Sequence, residues 1–154
     1  MRRVGPIVAT ELPGLVIGDV RARHVRLLPE RVEHHDDDGT TTWAWDDLDD
    51  LRVDVPVTRW PHPALGDWIV PFVGAAFSGG LWDAPDVRDL QLRVRTVDGE
   101  ALEHELSGHW AVGYPKRHAV LVRRLIELLR KSPDTRALLA NPDAMLSRIG
   151  RILR

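Results

Sequence analysis

The chain of 154 residues is long enough for one domain with a single hydrophobic core, and its formal net charge of −2 does not favour nucleic-acid binding. It contains no cysteine, which excludes disulfide bonds, thiolate metal ligands and a thiol nucleophile. Two arginines follow Met1 as in a signal peptide, but Pro6, Glu11 and Pro13 interrupt the apolar residues behind them. We therefore expect a single cytoplasmic domain over residues 1–154.

The first two thirds of the chain is patterned as β-strands. Six segments have the extended or alternating character of strands, at 20–28, 31–35, 40–45, 51–57, 90–96 and 101–106. Gly39 follows three aspartates and fits a tight turn between two of these strands. Pro56 indicates that the fourth strand ends there or lies at the edge of a sheet.

The hairpin at 90–106 is the clearest of these elements, because Asp98-Gly99 is a strong turn dipeptide between two alternating segments. Three residues of its second strand are predicted to face inward: Leu102, His104 and Leu106. The outer face is predicted to carry cross-strand charge pairs between Arg93 and Arg95 on one strand and Glu103 and Glu105 on the other.

The pattern changes to a helical period near Pro115, which fits the first turn of a helix that runs to residue 131. Its predicted buried stripe is Val122, Leu125, Ile126 and Leu129, widened by Leu121 and Leu128. Ser132-Pro133 and Asn141-Pro142 are each typical of an N-cap followed by proline. They predict two shorter helices, over 133–140 and 142–153, in a C-terminal extension at 132–154.

Several segments together resemble a bacterial pleckstrin-homology-like (PH-like) domain of the actinobacterial type. They are HVRLL, RVEHH, WAWDDLDDLRV, LQLRVRTVDGEALEHEL and the 115–131 helix. The resemblance covers residues 15–131 and implies an α+β, mainly β fold, in which a bent antiparallel partial barrel is capped by the C-terminal helix. It implies seven strands, one more than the pattern predicts. It also implies a non-enzymatic protein-interaction or scaffold module, since such domains bind lipid headgroups, peptides or proteins.

The resemblance does not extend to a lipid-headgroup site. Lipid-binding members of the family use basic residues in the first hairpin loop, which in this chain is Pro29-Glu30-Arg31. The next turn is acidic, at 36–38, and would repel an anionic headgroup. We therefore expect an unknown protein partner rather than a membrane surface.

The inserted connection at 59–88 is the most apolar part of the chain. Its segment GDWIVPFVGAAFSGGLWD is too short to span a membrane, and Pro71 interrupts it. Five aromatic residues make it an interface candidate: Trp60, Trp68, Phe72, Phe77 and Trp82. Long connections are often functional, and an exposed apolar patch marks a protein interface, including self-association through 60–82. The alternative is that the segment completes the core.

The long helix is also locally basic. Six residues form this predicted basic face: Lys116, Arg117, Arg123, Arg124, Arg130 and Lys131. A solvated outer face and a surface for an anionic partner are both consistent with it. Together with the tryptophan-rich insert, it supports an alternative function as a peripheral membrane or lipid-binding domain.

The histidines are candidates for metal ligands and for catalytic groups. His34 and His35, followed by the acids at 36–38, are metal-ligand types, but adjacent strand residues point to opposite faces and cannot easily share one ion. We interpret this segment as a solvated hairpin tip. His104 is interpreted as a core residue, and His109, Tyr114 and His118 as a polar pocket or as packing at the helix entry. We therefore predict no metal, no cofactor and no catalytic residue. Small-ligand binding or enzymatic use of the histidines is the least favoured function.

Overall fold

A computed structural model describes residues 1–58, 89–110 and 113–152. It consists of two antiparallel sheets followed by helices, which confirms the predicted α+β, mainly β class. The inserted connection at 59–88 lies outside the described residues.

The first sheet has six strands that pair in chain order, each antiparallel to the one before. They are β1 (Arg2–Val4), β2 (Ile7–Ala9), β3 (Leu15–Gly18), β4 (His24–Leu27), β5 (Arg31–Asp36) and β6 (Gly39–Ala44). Of these, the sequence predicted β4, β5 and β6. The turn between β5 and β6 forms as expected, since Asp36 Oδ1 accepts hydrogen bonds from the backbone N–H groups of Asp38 and Gly39.

Strands β1 to β3 were not predicted, because their sequence does not alternate. Ile7 and Ile17 belong to the main hydrophobic core. Val8 and Val16, whose side chains point to the opposite face, are also fully buried. A strand buried on both faces reads as a short apolar run, which periodicity alone does not identify as a strand.

A 3₁₀ turn at Trp45–Asp47 carries the chain from the first sheet to the second. The indole Nε1 of Trp45 donates a hydrogen bond to the Leu28 carbonyl oxygen at 2.8 Å and so ties this turn to the first sheet. Within the described residues, the second sheet has three strands in chain order: β7 (Leu48–Asp54), β8 (Leu90–Thr96) and β9 (Ala101–Leu106). As predicted, β7 ends just before Pro56.

The predicted ion pairs of the β8–β9 hairpin are only half right. Arg93 lies opposite Glu103, and its Nε is 3.0 Å from the Glu103 carboxylate. Arg95 instead pairs with Asp49 of β7, at 2.6 Å. In an antiparallel pair, the partner's residue number falls as the strand's number rises. Arg95 and Glu105 therefore move apart when Arg93 and Glu103 face each other.

Three helices follow the sheets: α1 (Lys116–Lys131), α2 (Pro133–Ala137) and α3 (Pro142–Ile152). A 3₁₀ turn at Leu138–Ala140 extends α2 to the predicted end. The two predicted N-caps are confirmed. Ser132 Oγ accepts a hydrogen bond from the Thr135 N–H, and Asn141 Oδ1 accepts one from the Ala144 N–H.

The core lies between the two sheets, and α1 closes it by packing on β7. Five residues of the helix are buried there: Leu121, Val122, Leu125, Ile126 and Leu129. The prediction for Leu128 was wrong, because 56% of this residue is exposed. A helix turns about 100° per residue, so Leu128 points to solvent while the adjacent Leu129 points into the core.

The difference between two leucines of α1 tests this packing. Leu125→Asp should lower the free energy of unfolding by at least about 3 kcal/mol, because an uncompensated buried charge costs about 3–5 kcal/mol. Leu128→Asp makes the same chemical change at an exposed position and should leave stability nearly unchanged. Urea unfolding followed by circular dichroism measures both. Equal effects of the two substitutions would contradict the observed orientation of α1.

Candidate functional site

The aromatic interface candidates of the insert, Trp60, Trp68, Phe72, Phe77 and Trp82, all lie outside the described residues. Their role as an interface or as part of the core therefore stays a prediction. Among the described helices, none is both long and apolar enough to cross a membrane.

The predicted basic face of α1 divides into two parts. Arg130 donates a hydrogen bond to Asp50 Oδ1 at 2.9 Å and another to the Asp49 carbonyl oxygen. Lys131 pairs with Glu127 at 2.6 Å. These two cations are neutralised by neighbours. The other four are exposed: Lys116, Arg117, Arg123 and Arg124.

Arg117 belongs to a cleft that the sequence did not predict. The cleft has a volume of about 650 Å³ and lies where β1, the start of α1 and the end of α3 meet. Four arginines line it, together with His118 and Ser147: Arg2, Arg3, Arg117 and Arg151. We call it the basic cleft.

The packing of α3 on β1 and β2 forms one wall of this cleft. Met145, Leu146 and Ile149 bury the inner face of α3 in the core, which leaves its polar face beside β1. Arg2 Nη1 then donates a hydrogen bond to Ser147 Oγ at 2.7 Å. The contact joins the first strand of the chain to its last helix.

The floor of the cleft depends on Gly5. Its φ of 58° belongs to the left-handed region, and a Cβ added there would lie 2.8 Å from the His118 ring. Beside it, the Arg3 guanidinium lies over the Trp110 ring, 5.6 Å from the centroid, within the range of a cation–π contact. The glycine thus lets the β1–β2 turn approach α1 closely.

The basic cleft is electrostatically unbalanced. Within the part of the chain that the structure describes, none of its four arginines forms an ion pair, and no acidic residue lines it. Several arginines outside the cleft are matched instead, as in Arg52 with Asp50 and Arg93 with Asp54. Burial, followed by the nearby charge of Arg117, lowers the pKa of His118, so this ring is neutral at neutral pH. The positive charge therefore comes from the arginines alone.

The predicted pocket around His109, Tyr114 and His118 is mainly a packing arrangement. Tyr114 is fully buried, and its hydroxyl accepts a hydrogen bond from the His109 backbone N–H at 2.7 Å. Trp110 separates this contact from His118, with ring centroids 4.9 Å from Tyr114 and 6.3 Å from His118. His118 thus contributes to the basic cleft instead.

A second cluster of polar residues lies between the two sheets. His104 of β9 faces inward as predicted and contacts His34 of β5, with ring centroids 4.2 Å apart. One potential ligand atom from each of His34, Asp36 and His104 lies within 4.8 Å of the others. His35 points to the opposite face, also as predicted, and its ring stacks on His24 at 4.6 Å.

The two histidine pairs differ in their hydrogen bonds. His24 Nδ1 lies 2.8 Å from the Ala22 carbonyl oxygen, and the nitrogens of His35 contact Glu33 and Thr40. By contrast, both ring nitrogens of His34 and Nε2 of His104 are buried without a hydrogen-bond partner among the described residues.

Burial is the largest cause that lowers the pKa of His34, and its proximity to the rings of His104, His35 and His24 lowers this pKa further. The Asp36 carboxylate acts to raise the pKa of His34, but the net change in this pKa is downward. The imidazole of His34 is therefore neutral at neutral pH and has a free lone pair.

The sequence did not predict this cluster, because only ligand residues close together along the chain were considered as a possible metal site. His34 and His104 lie on strands of different sheets, so only the packing of the sheets brings them together. The sequence nonetheless contained two indications that His34 and His104 both face the core. The inward position of His104 was predicted, and His34 shares a strand face with the buried Val32.

A comparison with known proteins found no matching family model, no similar curated protein and no similar solved structure. The function must therefore be inferred from the geometry of the chain itself.

The lowered histidine pKa values predict a loss of stability in mild acid. The unfolded chain takes up protons near the ordinary histidine pKa of about 6.5, whereas folded His34 resists protonation. Below that pH the unfolded state binds more protons, so the free energy of unfolding falls as the pH falls. Burial also lowers the pKa values of His24 and His118, and they act in the same direction.

The experiment compares urea unfolding between pH 7 and pH 5 with a metal chelator present, a range chosen around the ordinary histidine pKa of about 6.5. His34→Leu should lose less stability over this range than the wild type, since it lacks one of the protonating groups. Val32→Ala disturbs the same strand without removing such a group, so its curve should run parallel to the wild-type curve. If the free energy of unfolding of His34→Leu falls with pH as steeply as that of the wild type, His34 does not cause the acid sensitivity.

Proposed function

We propose that the protein is a non-enzymatic interaction module of PH-like fold that binds an acidic segment of a partner protein in the basic cleft. The strand order supports the fold. β3 supplies the strand that the sequence pattern lacked, so that the described residues between 15 and 131 contain seven strands and α1. The cleft is lined by β1 and α3, which lie outside this unit, and by the start of α1.

The proposal is supported by four arginines around one concave surface, none of which forms an ion pair with another described residue. Arginine side chains held close together repel one another, and a carboxylate ligand relieves this repulsion. The guanidinium fork also matches a carboxylate in two parallel hydrogen bonds. Glutamate and aspartate side chains of a partner are therefore the ligands that suit this surface.

The shape of the cleft favours a peptide over a membrane. A side chain can enter a concave space of about 650 Å³, whereas a flat lipid surface reaches only its rim. Val4 is a partly buried apolar residue that lines the cleft beside the arginines and offers contact area to a neighbouring side chain of the peptide. The net charge of −2 gives the whole protein no general attraction to anionic membranes or nucleic acid.

Charge reversal in the cleft tests this function. The double variant Arg117→Glu with Arg151→Glu changes two exposed cleft residues and should weaken binding of a fluorescent Glu-rich peptide by at least about tenfold. The reason is that a hydrogen bond to a charged group contributes about 1.5–3 kcal/mol, and 1.4 kcal/mol is tenfold in affinity. Fluorescence anisotropy at several salt concentrations measures the dissociation constants.

The matched control is Arg123→Glu with Arg124→Glu, which changes the net charge equally on an exposed part of α1 outside the cleft lining. This control should keep near wild-type affinity. Equal weakening by both double variants would mean that the peptide responds only to overall charge. Tighter binding to phosphatidylserine vesicles or to single-stranded DNA than to the peptide would contradict the proposed class of partner.

A further inference from the structure

The geometry points to a binding site for a divalent transition-metal ion formed by His34, Asp36 and His104. This inference departs from the expectation of no metal, which considered only ligands close together in the sequence. It is independent of the basic cleft, since none of the three residues lines that surface.

The first argument is the chemistry of the donor set. One imidazole nitrogen from each of two histidines and one carboxylate oxygen lie within 4.8 Å of one another. Small side-chain rotations would bring them to the ligand distances of about 2.0–2.2 Å that zinc requires. Two histidines with one carboxylate suit Zn²⁺ and Fe²⁺, whereas Mg²⁺ and Ca²⁺ prefer oxygen ligands alone.

The second argument is that the buried nitrogens lack partners. His34 is only 1% exposed, and neither of its ring nitrogens has a hydrogen-bond partner in the described part of the chain. A buried polar group without a partner costs about 1–3 kcal/mol, so retaining a histidine here needs a reason. A metal ion bound to His34 and His104 would satisfy one nitrogen of each ring. The partnered His24–His35 pair has no such need.

The third argument is the arrangement of the Asp36 carboxylate. Its Oδ1 is held by two backbone N–H groups of the β5–β6 turn, which orients the side chain. Its Oδ2 faces the buried ring, 3.5 Å from His34 Nδ1. The Asp36 side chain is 28% exposed, so the third ligand lies at the solvent edge of the core. Three protein ligands with an open side leave further coordination positions for water or a small ligand.

The test uses the full-length protein, freed of any purification tag and treated with chelator, and titrates it with Zn²⁺ by calorimetry. The wild type should bind one ion per chain, and saturating Zn²⁺ should raise its melting temperature. Asp36→Asn should weaken Zn²⁺ binding by at least about tenfold, since even changes next to a ligand cost 10–100-fold in affinity. The asparagine keeps the oxygen that accepts the turn hydrogen bonds, so the hairpin should stay intact.

Asp38→Asn is the matched control, because this exposed acid lies in the same turn and outside the cluster. It should bind Zn²⁺ like the wild type. His104→Gln should also weaken binding, and the visible spectrum of bound Co²⁺ should change as a nitrogen ligand is lost. Absence of stoichiometric binding to the folded wild type would overturn the inference. So would equal Zn²⁺ affinities of Asp36→Asn and Asp38→Asn.

Discussion

The structure depends on one constraint, the burial of the inner faces of two sheets against each other and against α1. Leu92 and Leu106 from the second sheet join Val32 from the first in one core, and all three are fully buried. Burial of apolar surface contributes about 25 cal/mol per Å², so this shared core is the dominant favourable contribution to folding. The exposed ion pairs on the outer face of β8, such as Arg93 with Glu103, contribute little by comparison.

Both candidate sites follow from this packing. The second sheet places His104 against His34 because the strands that carry them form opposite walls of the same core. The core also extends to α3, whose apolar side packs against β1 and β2. The arginines at the two ends of the chain are thereby held beside Arg117. Neither site exists in any local segment, and neither would survive separation of the elements that form it.

Local patterns in the sequence predicted the elements whose burial is one-sided. The β8–β9 hairpin and the stripe of α1 alternate between apolar and polar residues, and the structure confirms both, apart from Leu128 and the charge pair predicted for Arg95. Strands β2 and β3 were missed because residues such as Val8 and Val16 are buried on the face opposite the core and leave no period to detect. The PH-like fold remains a proposal.

The candidate sites were less accessible to prediction because they depend on tertiary contacts. Arg117 was identified only as part of a basic helix, since its three partner arginines lie near the two ends of the sequence. His34 was interpreted as part of a solvated hairpin tip, yet it is buried because β9 covers it. The correct prediction that His34 and His35 point to opposite faces excluded them as a pair, but it could not reveal His104 as the partner.

The central claim is that the two sheets pack face to face and bring His34 into contact with His104. Nuclear Overhauser spectra of histidine-labelled protein test it directly, with ring signals assigned by single His→Gln variants. This packing predicts cross-peaks between the ring protons of His34 and His104, and between those of His24 and His35. Cross-peaks within the second pair alone would show that the first sheet forms but that the second sheet does not pack against it as described.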